Sequence, residues 1–196
     1  GSVVKMGLLQ SIRQAFSEET PYEFSSEELE QMESDKARVI ERHPECAVLW
    51  ETRIDKQYAS IMAPQWLRIV KDSVALVNKT KSPDVFFKRY DLIIDYLICL
   101  SKLETVISFT PRNPSEDLKR IRDQRIEQTD IFICRAYENT MEAVSKLKTP
   151  EGRANKIDTF FAAFEPYTKM MDKQNIDTLQ QLKDQMLPVD AGFETL

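Results

Sequence analysis

The chain has 196 residues, 42% of them hydrophobic and 30% charged, with a formal net charge of −5 and only 4 glycines. Size is no obstacle to a core, because a chain this long buries roughly seven tenths of its surface on folding, and the composition is that of a globular protein rather than a disordered or membrane-embedded one. Gly152 is the one glycine away from the termini, which excludes the glycine-rich phosphate loops of dinucleotide enzymes and P-loop NTPases, and the absence of Asn-Gly, Asp-Gly and Gly-Gly turns argues against a β-rich fold.

Helical periodicity runs through nearly the whole chain. Gly1-Ser2 resembles a tag-cleavage scar, so a piece of a longer protein is expected. Val3 to Phe16 places Leu8, Leu9, Ile12 and Phe16 on one face of a short amphipathic helix, and the stretch from Glu18 to Glu23, containing Pro21, reads as a linker. Ser25 with Glu28 three residues on forms a capping pair, and Phe24 is placed to staple onto Leu29, so a helix is predicted to begin here. Pro44 must break or kink it, since proline lacks the N–H and disfavours helical geometry in the residue before it. A segment to Met62 follows, with Trp50, Ile54, Tyr58 and Ile61 predicted inward.

Pro64 is predicted to open the next helix, with Trp66, Val70, Val74 and Val77 inward. Ser82-Pro83-Asp84 joins an N-cap, a proline at the first helical position and an acid facing the helix dipole. The helix it starts should reach about Phe109, and its broad stripe of Phe86, Phe87, Tyr90, Ile93, Ile94, Leu97 and Ile98 marks a central element. After the loop from Thr110 to Pro114, Ser115 is expected to cap the longest helix, to Lys148, with Leu118, Ile126, Ile133, Tyr137, Met141 and Val144 inward. Thr149-Pro150-Glu151 repeats the start signal for a helix carrying Ile157, Phe160, Phe161 and Phe164, which Pro166 should bend. A last helix is predicted from about Asn175 to Leu187, with a loose tail from Pro188.

These elements predict an all-α protein: an up-and-down antiparallel helical bundle over 64–187, an N-terminal helical arm over 1–63 and a tail over 188–196. The unequal spacing of start signals makes a solenoid the less favoured alternative. Cys46, Cys99 and Cys134 sit among apolar neighbours and read as small buried hydrophobes, which favours a reducing cytoplasm. With no C-x-x-C pair and His43 as the sole histidine, neither a Cys/His zinc site nor a duplicated Glu-x-x-His di-iron site is expected. The most apolar run, Leu92 to Phe109, is interrupted by Asp95, Lys102 and Glu104, so no membrane span is predicted.

The segment Thr80-Lys81-Ser82-Pro83-Asp84-Val85-Phe86-Phe87-Lys88-Arg89-Tyr90-Asp91-Leu92, with Leu147 to Lys156 and Phe160-Phe161 downstream, resembles a pairing found in uncharacterised helical proteins of Gram-positive bacteria and their prophages. The likeness covers roughly Trp66 to Leu182. It implies a bacterial or prophage cytoplasmic setting and brings no catalytic residues.

In an up-and-down bundle the turns near 79–83 and 148–150 fall at one end. Lys79, Lys81, Lys88, Arg89, Lys146, Lys148, Arg153 and Lys156 would then crowd together beside two helix N-termini, a candidate docking site for an acidic protein segment or a phosphate. The alternative is that terminal lysines merely complement helix C-termini. Residues 1–63 carry 7 basic and 12 acidic side chains and the remainder 20 of each, so self-association through the acidic arm is a second expectation. Arg112, Lys119, Arg120, Arg122 and Arg125 are expected to pair with Glu116, Asp117, Asp123 and Glu127, which cancels the field that nucleic acid needs. Membrane anchoring through Val3 to Phe16 is disfavoured because the segment has only Lys5 and Arg13 as cations. His43 lacks a nucleophile partner, and the S-x-x-K match at Ser145 lacks its companion motifs. The sequence therefore points to a non-enzymatic protein-interaction or regulatory module without cofactor. A small-molecule or enzymatic site inside the bundle, lined by Tyr90, Tyr137, Phe160 and Phe161, is the alternative.

Overall fold

The computed structural model describes residues 23–51 and 56–194. The amphipathic helix expected at Val3 to Phe16, most of the linker and Ile54 lie outside the described residues. The chain divides into two compact units, Gly1–Arg42 and His43–Leu196, so the second unit begins well before Pro64.

In the first unit, α1 spans Ser26–Arg42. Its start is the one the sequence signals: the Glu28 N–H donates to Ser25 Oγ at 3.1 Å, taking up one of the amides that a helix start leaves without a carbonyl. Phe24 and Leu29 are both exposed. Asp35 accepts from Gln31 at 2.9 Å and pairs with Arg38 at 3.6 Å along the helix surface.

The second unit is an all-α antiparallel bundle, with no strand among the described residues. A single 3-10 turn, Pro44–Cys46, leads into the short α2 (Val48–Glu51), then α3 (Lys56–Lys79), α4 (Pro83–Leu103), α5 (Pro114–Ser145) and α6 (Pro150–Phe164). A 3-10 segment, Glu165–Met170, joins α6 to α7 (Lys173–Glu194).

α3 does not start at Pro64 but runs through it. A proline in a helix leaves the carbonyl four residues back without its donor; here Ser60 and Pro64 both lie on the exposed side of the helix, while Ala59, Ala63 and Trp66 stay buried on the opposite side. The inward stripe is therefore Ala59, Ala63, Trp66, Ser73 and Val77, and Ile61, expected inward, is 56% exposed.

α4 is the central element that its stripe predicts: every residue from Ile93 to Leu100 is buried. Ser82 accepts from the Val85 N–H and Pro83 occupies the first turn. The helix stops at Leu103, short of Phe109, and the next residue explains the following connection. Glu104 accepts hydrogen bonds from both the N–H and the hydroxyl of Ser115, so a carboxylate sits on the N-terminus of α5, where the dipole favours it. The cap proper is Asn113, not Ser115, with Pro114 in the first turn. The Thr110–Pro111 peptide bond in this loop is cis.

α5 packs antiparallel to α4. Phe86 stacks on Phe132, Tyr90 Oη donates to the Ile121 carbonyl at 3.0 Å, and Arg125 reaches Asp91 at 3.0 Å. Its buried face is Pro114, Thr129, Phe132, Ile133, Ala136 and Val144, whereas Ile126 is exposed. α6 returns along α5 through Tyr137–Phe160 and Phe132–Phe164 edge contacts. Pro166 ends this helix rather than bending it, and the tighter 3-10 segment places Tyr167 flat on Phe87 at 5.1 Å.

α7 starts earlier than expected and continues through Pro188 to Glu194, so the predicted tail is helical. Its docking is polar: the buried Asn175 donates to the Ile126 carbonyl at 2.9 Å and to Asp130 at 2.8 Å, and accepts from the Asp172 N–H. Beyond the N-terminal start of α4, Val144, Ile157 and Met186 form a small cluster with Tyr137, Met141 and Phe161 against it.

The cysteines correct the sequence reading. Cys46 and Cys99 are fully buried but joined in a disulfide with Cα atoms 6.2 Å apart, within the usual span of such bridges. Cys134 is exposed. The argument from cysteines for a reducing compartment therefore loses its basis.

Candidate binding groove

Helix alternation puts the α3–α4 and α5–α6 turns at one end of the bundle, but at different heights. Arg135 Nη1 donates to the Asn78 carbonyl at 3.3 Å, so the first turn meets α5 about ten residues before that helix ends. At 1.5 Å per residue the second turn lies roughly 15 Å further along. The eight cations named from sequence are spread accordingly.

Lys81 and Lys156 are brought together. Both line a groove of about 300 Å³ between the start of α4, the second half of α5 and α6. Its walls are Pro83, Ala136, Ala143, Ala163, Phe160 and Phe164, with Asn139, Thr140 and Thr159 as polar groups, and no carboxylate among the described residues lines it. Both lysines are exposed. Neither enters an ion pair among the described residues, so their charge stays uncompensated there.

The other six stand apart from this groove. Lys88 pairs with Asp84 at 2.9 Å, and Tyr167 Oη donates to the same carboxylate. The hydrogen bonds from Lys88 and then Tyr167 hold the Asp84 carboxyl below its usual range, and the hydrogen bond to Asp84 with that carboxylate's charge raises the Lys88 ammonium. Lys146 pairs with Glu142 at 3.6 Å. Arg153 Nε donates to the Leu147 carbonyl at 2.9 Å, closing the α5–α6 turn. Lys79 ends α3, Arg89 is exposed on α4, and Lys148 is exposed just before the Thr149 cap.

The arginine-rich stretch is compensated in part by Asp117, one of the expected acids, and in part by Asp91 of α4, which was not among them. Asp117 pairs with Arg120 at 2.9 Å and with Arg112 at 3.9 Å, and Arg125 turns inward to Asp91.

A second constellation was not legible in the sequence. His43 Nε2 lies 3.4 Å from Asp95 Oδ2 and its Nδ1 lies 3.8 Å from Glu45 Oε1. The imidazole also packs against Tyr96 at 4.6 Å between ring centroids. Tyr96 Oη donates to Glu45 Oε1 at 2.9 Å, and Tyr58 Oη donates to the Glu45 carbonyl. Burial, then the Glu45 hydrogen bond, pushes the Tyr96 phenol up to about 12. This cluster surrounds the Cys46–Cys99 bridge, since Asp95 and Cys99 are four residues apart on α4 and share a face. The only sequence signal was that i, i+4 pair opposite His43-x-x-Cys46, and nothing local says that the two segments meet.

Among the described residues no group of three or more His, Cys, Asp or Glu side chains is arranged to hold a metal ion. No described helix is long and apolar enough to cross a membrane. No protein-family model, curated protein or solved structure matches this chain.

Proposed function

We propose that the chain is a non-catalytic protein-interaction module whose groove between α4, α5 and α6 receives an acidic, partly apolar segment of another protein. The observation that carries this reading is the convergence of Lys81 and Lys156 on an apolar groove that no carboxylate among the described residues lines. A partner's carboxylate meets two ammonium groups, and an adjacent Leu or Phe packs against the wall made by Ala143, Ala163 and the edge of Phe160. The apolar contact supplies the area term, while the exposed charges set orientation, partner choice and association rate. The rim charges face water, so the attraction is salt-sensitive over the Debye length, about 8–10 Å at physiological ionic strength. The bacterial or prophage setting remains part of this proposal through the resemblance at Thr80–Leu92 and Leu147–Phe161 alone.

The test is fluorescence anisotropy with a short labelled peptide alternating Asp or Glu with Leu or Phe. Saturable binding is expected, weakened about tenfold, or 1.4 kcal/mol, in the Lys81→Glu/Lys156→Glu double variant, weakened by salt, and unchanged in Lys146→Glu/Lys148→Glu. Equal binding to wild type and the Lys81/Lys156 variant overturns the reading. Tighter groove binding of a fatty-acid anion than of the peptide replaces it with the small-molecule alternative.

A further inference from the structure

We infer that the Cys46–Cys99 disulfide is a redox-operated anchor: reduction by a dithiol frees the 43–51 segment from α4 while the bundle stays folded. The bridge joins two elements of unequal standing. Cys99 lies in the stretch of α4 where every residue from Ile93 to Leu100 is buried. Cys46 ends a single 3-10 turn held by two backbone bonds, Cys46 N–H to the His43 carbonyl at 2.9 Å and Ala47 N–H to the Pro44 carbonyl at 3.1 Å. Glu45 beside it is exposed and Ala47 is half-buried. Few backbone bonds and exposed neighbours mark a segment that opens locally at low cost, and a helix buried throughout opens last. Local opening therefore presents the Cys46 sulfur first.

The exchange follows from that asymmetry. A thiolate of the dithiol attacks Cys46 Sγ and the S–S bond breaks; Cys99 Sγ leaves with the electron pair and takes up a proton. The second thiol of the reductant then attacks the mixed disulfide, releasing Cys46 as a thiolate that is protonated in turn. Two electrons and two protons pass to the bridge, and the dithiol ends as a disulfide.

What remains on the freed segment is the buried Leu49 side chain, the Lys102 ammonium over the Trp50 ring and a few polar contacts: Tyr96 to Glu45, Tyr58 to the Glu45 carbonyl and His43 to Asp95 and Glu45. The contacts to Glu45 end on a residue that reaches solvent and are individually weak, whereas the His43–Asp95 contact is buried and is the polar one that holds most. His43 is also the first residue of the second compact unit, so the bridge governs how firmly the chain is held at the root of that unit, and its release uncovers Asp95, which is 1% exposed.

The test uses the full chain carrying Cys134→Ser, so that only the bridge titrates, with hydrogen exchange followed by mass spectrometry and alkylation by iodoacetamide under native conditions. On adding dithiothreitol the amides of 44–51 should exchange at least about tenfold faster, those of 86–100 and 129–137 should stay protected over the same minutes, and Cys46 should be alkylated well before Cys99. Cys46→Ser/Cys99→Ser should reproduce the fast 44–51 exchange without reductant. The proposal is overturned if the bridge resists dithiothreitol until the protein is denatured, if the core amides lose protection together with 44–51, or if the double serine variant keeps 44–51 as slow as the oxidised chain. Free thiols at both positions in the air-oxidised protein also overturn it.

Discussion

Phe86 lies nearly parallel to Phe132, with 4.2 Å between ring centroids and 13° between planes, and this stack fixes the register of α4 against α5. Phe132 also meets Phe164 edge-on at 6.0 Å, so one ring links three helices. Phe132→Ala removes both contacts and leaves a cavity, and should cost about 3–5 kcal/mol in urea unfolding. Its neighbour Ile131 is 47% exposed, and Ile131→Ala should stay within about 0.5 kcal/mol. Equal losses at the two sites would mean that the helix faces have been assigned wrongly.

Thr149 and Gly152 should behave as a coupled pair. The Gly152 N–H donates to Thr149 Oγ1 at 3.1 Å, and a Cβ on Gly152 would lie 2.8 Å from that oxygen. Thr149→Ala should cost about 1 kcal/mol through the lost cap. Gly152→Ala alone should be near neutral, because its helix-propensity gain of up to about 1 kcal/mol is offset by displacing the hydroxyl. Made in the Thr149→Ala background, the same change should stabilise by most of that amount, and a double-mutant cycle measures the coupling.

The Asp84–Tyr167 contact ties the start of α4 to the segment after α6 and carries a pH dependence at both ends. The Asp84 carboxyl is lowered from 3.8, so its contribution is present above the unfolded value and disappears as pH falls through the lower folded one. The Tyr167 phenol is raised from 10.0, first by its hydrogen bond to Asp84. Its contribution is thus present below 10.0 and disappears as pH rises through the higher folded value. Tyr167→Phe should move the Asp84 titration upward and lessen both slopes, read by carboxyl NMR shifts and by unfolding midpoints across pH.

Asn175 is 2% exposed and serves three partners at the start of α7. Asn175→Ala leaves the Ile126 carbonyl and the Asp172 N–H without that partner, a loss of about 1–3 kcal/mol. The damage should fall on α7, seen as faster proteolysis within 173–194 while the Phe86–Phe132 region keeps its protection.

Fold class was legible because the cues were local. The Ser25, Ser82 and Thr149 caps and the apolar stripe of α4 each depend on residues within a few positions of one another, and each stands as read. Pro64 and Ile61 were misread for the opposite reason: α3 runs past the proline with Ser60 and Pro64 on the exposed side of the helix, a fact about neighbours in space. Ser115 was misassigned because the carboxylate that holds it, Glu104, lies eleven residues back. The candidate groove was half legible. Chain reversal predicts that two lysine-bearing corners share an end, but the overshoot of α5 separates them and leaves Lys81 with Lys156 alone. The disulfide pairs residues 53 apart, and no periodicity reports on that.

The same overshoot makes the second unit a two-storey structure. One storey is built on α4 and the aromatic rings around Phe132; the other, built on Val144, Ile157 and Met186, stands on the free length of α5. Phe160 couples the two, since its ring meets Tyr137 and Phe161 above and Phe164 below, and the upper storey is thereby anchored to the lower.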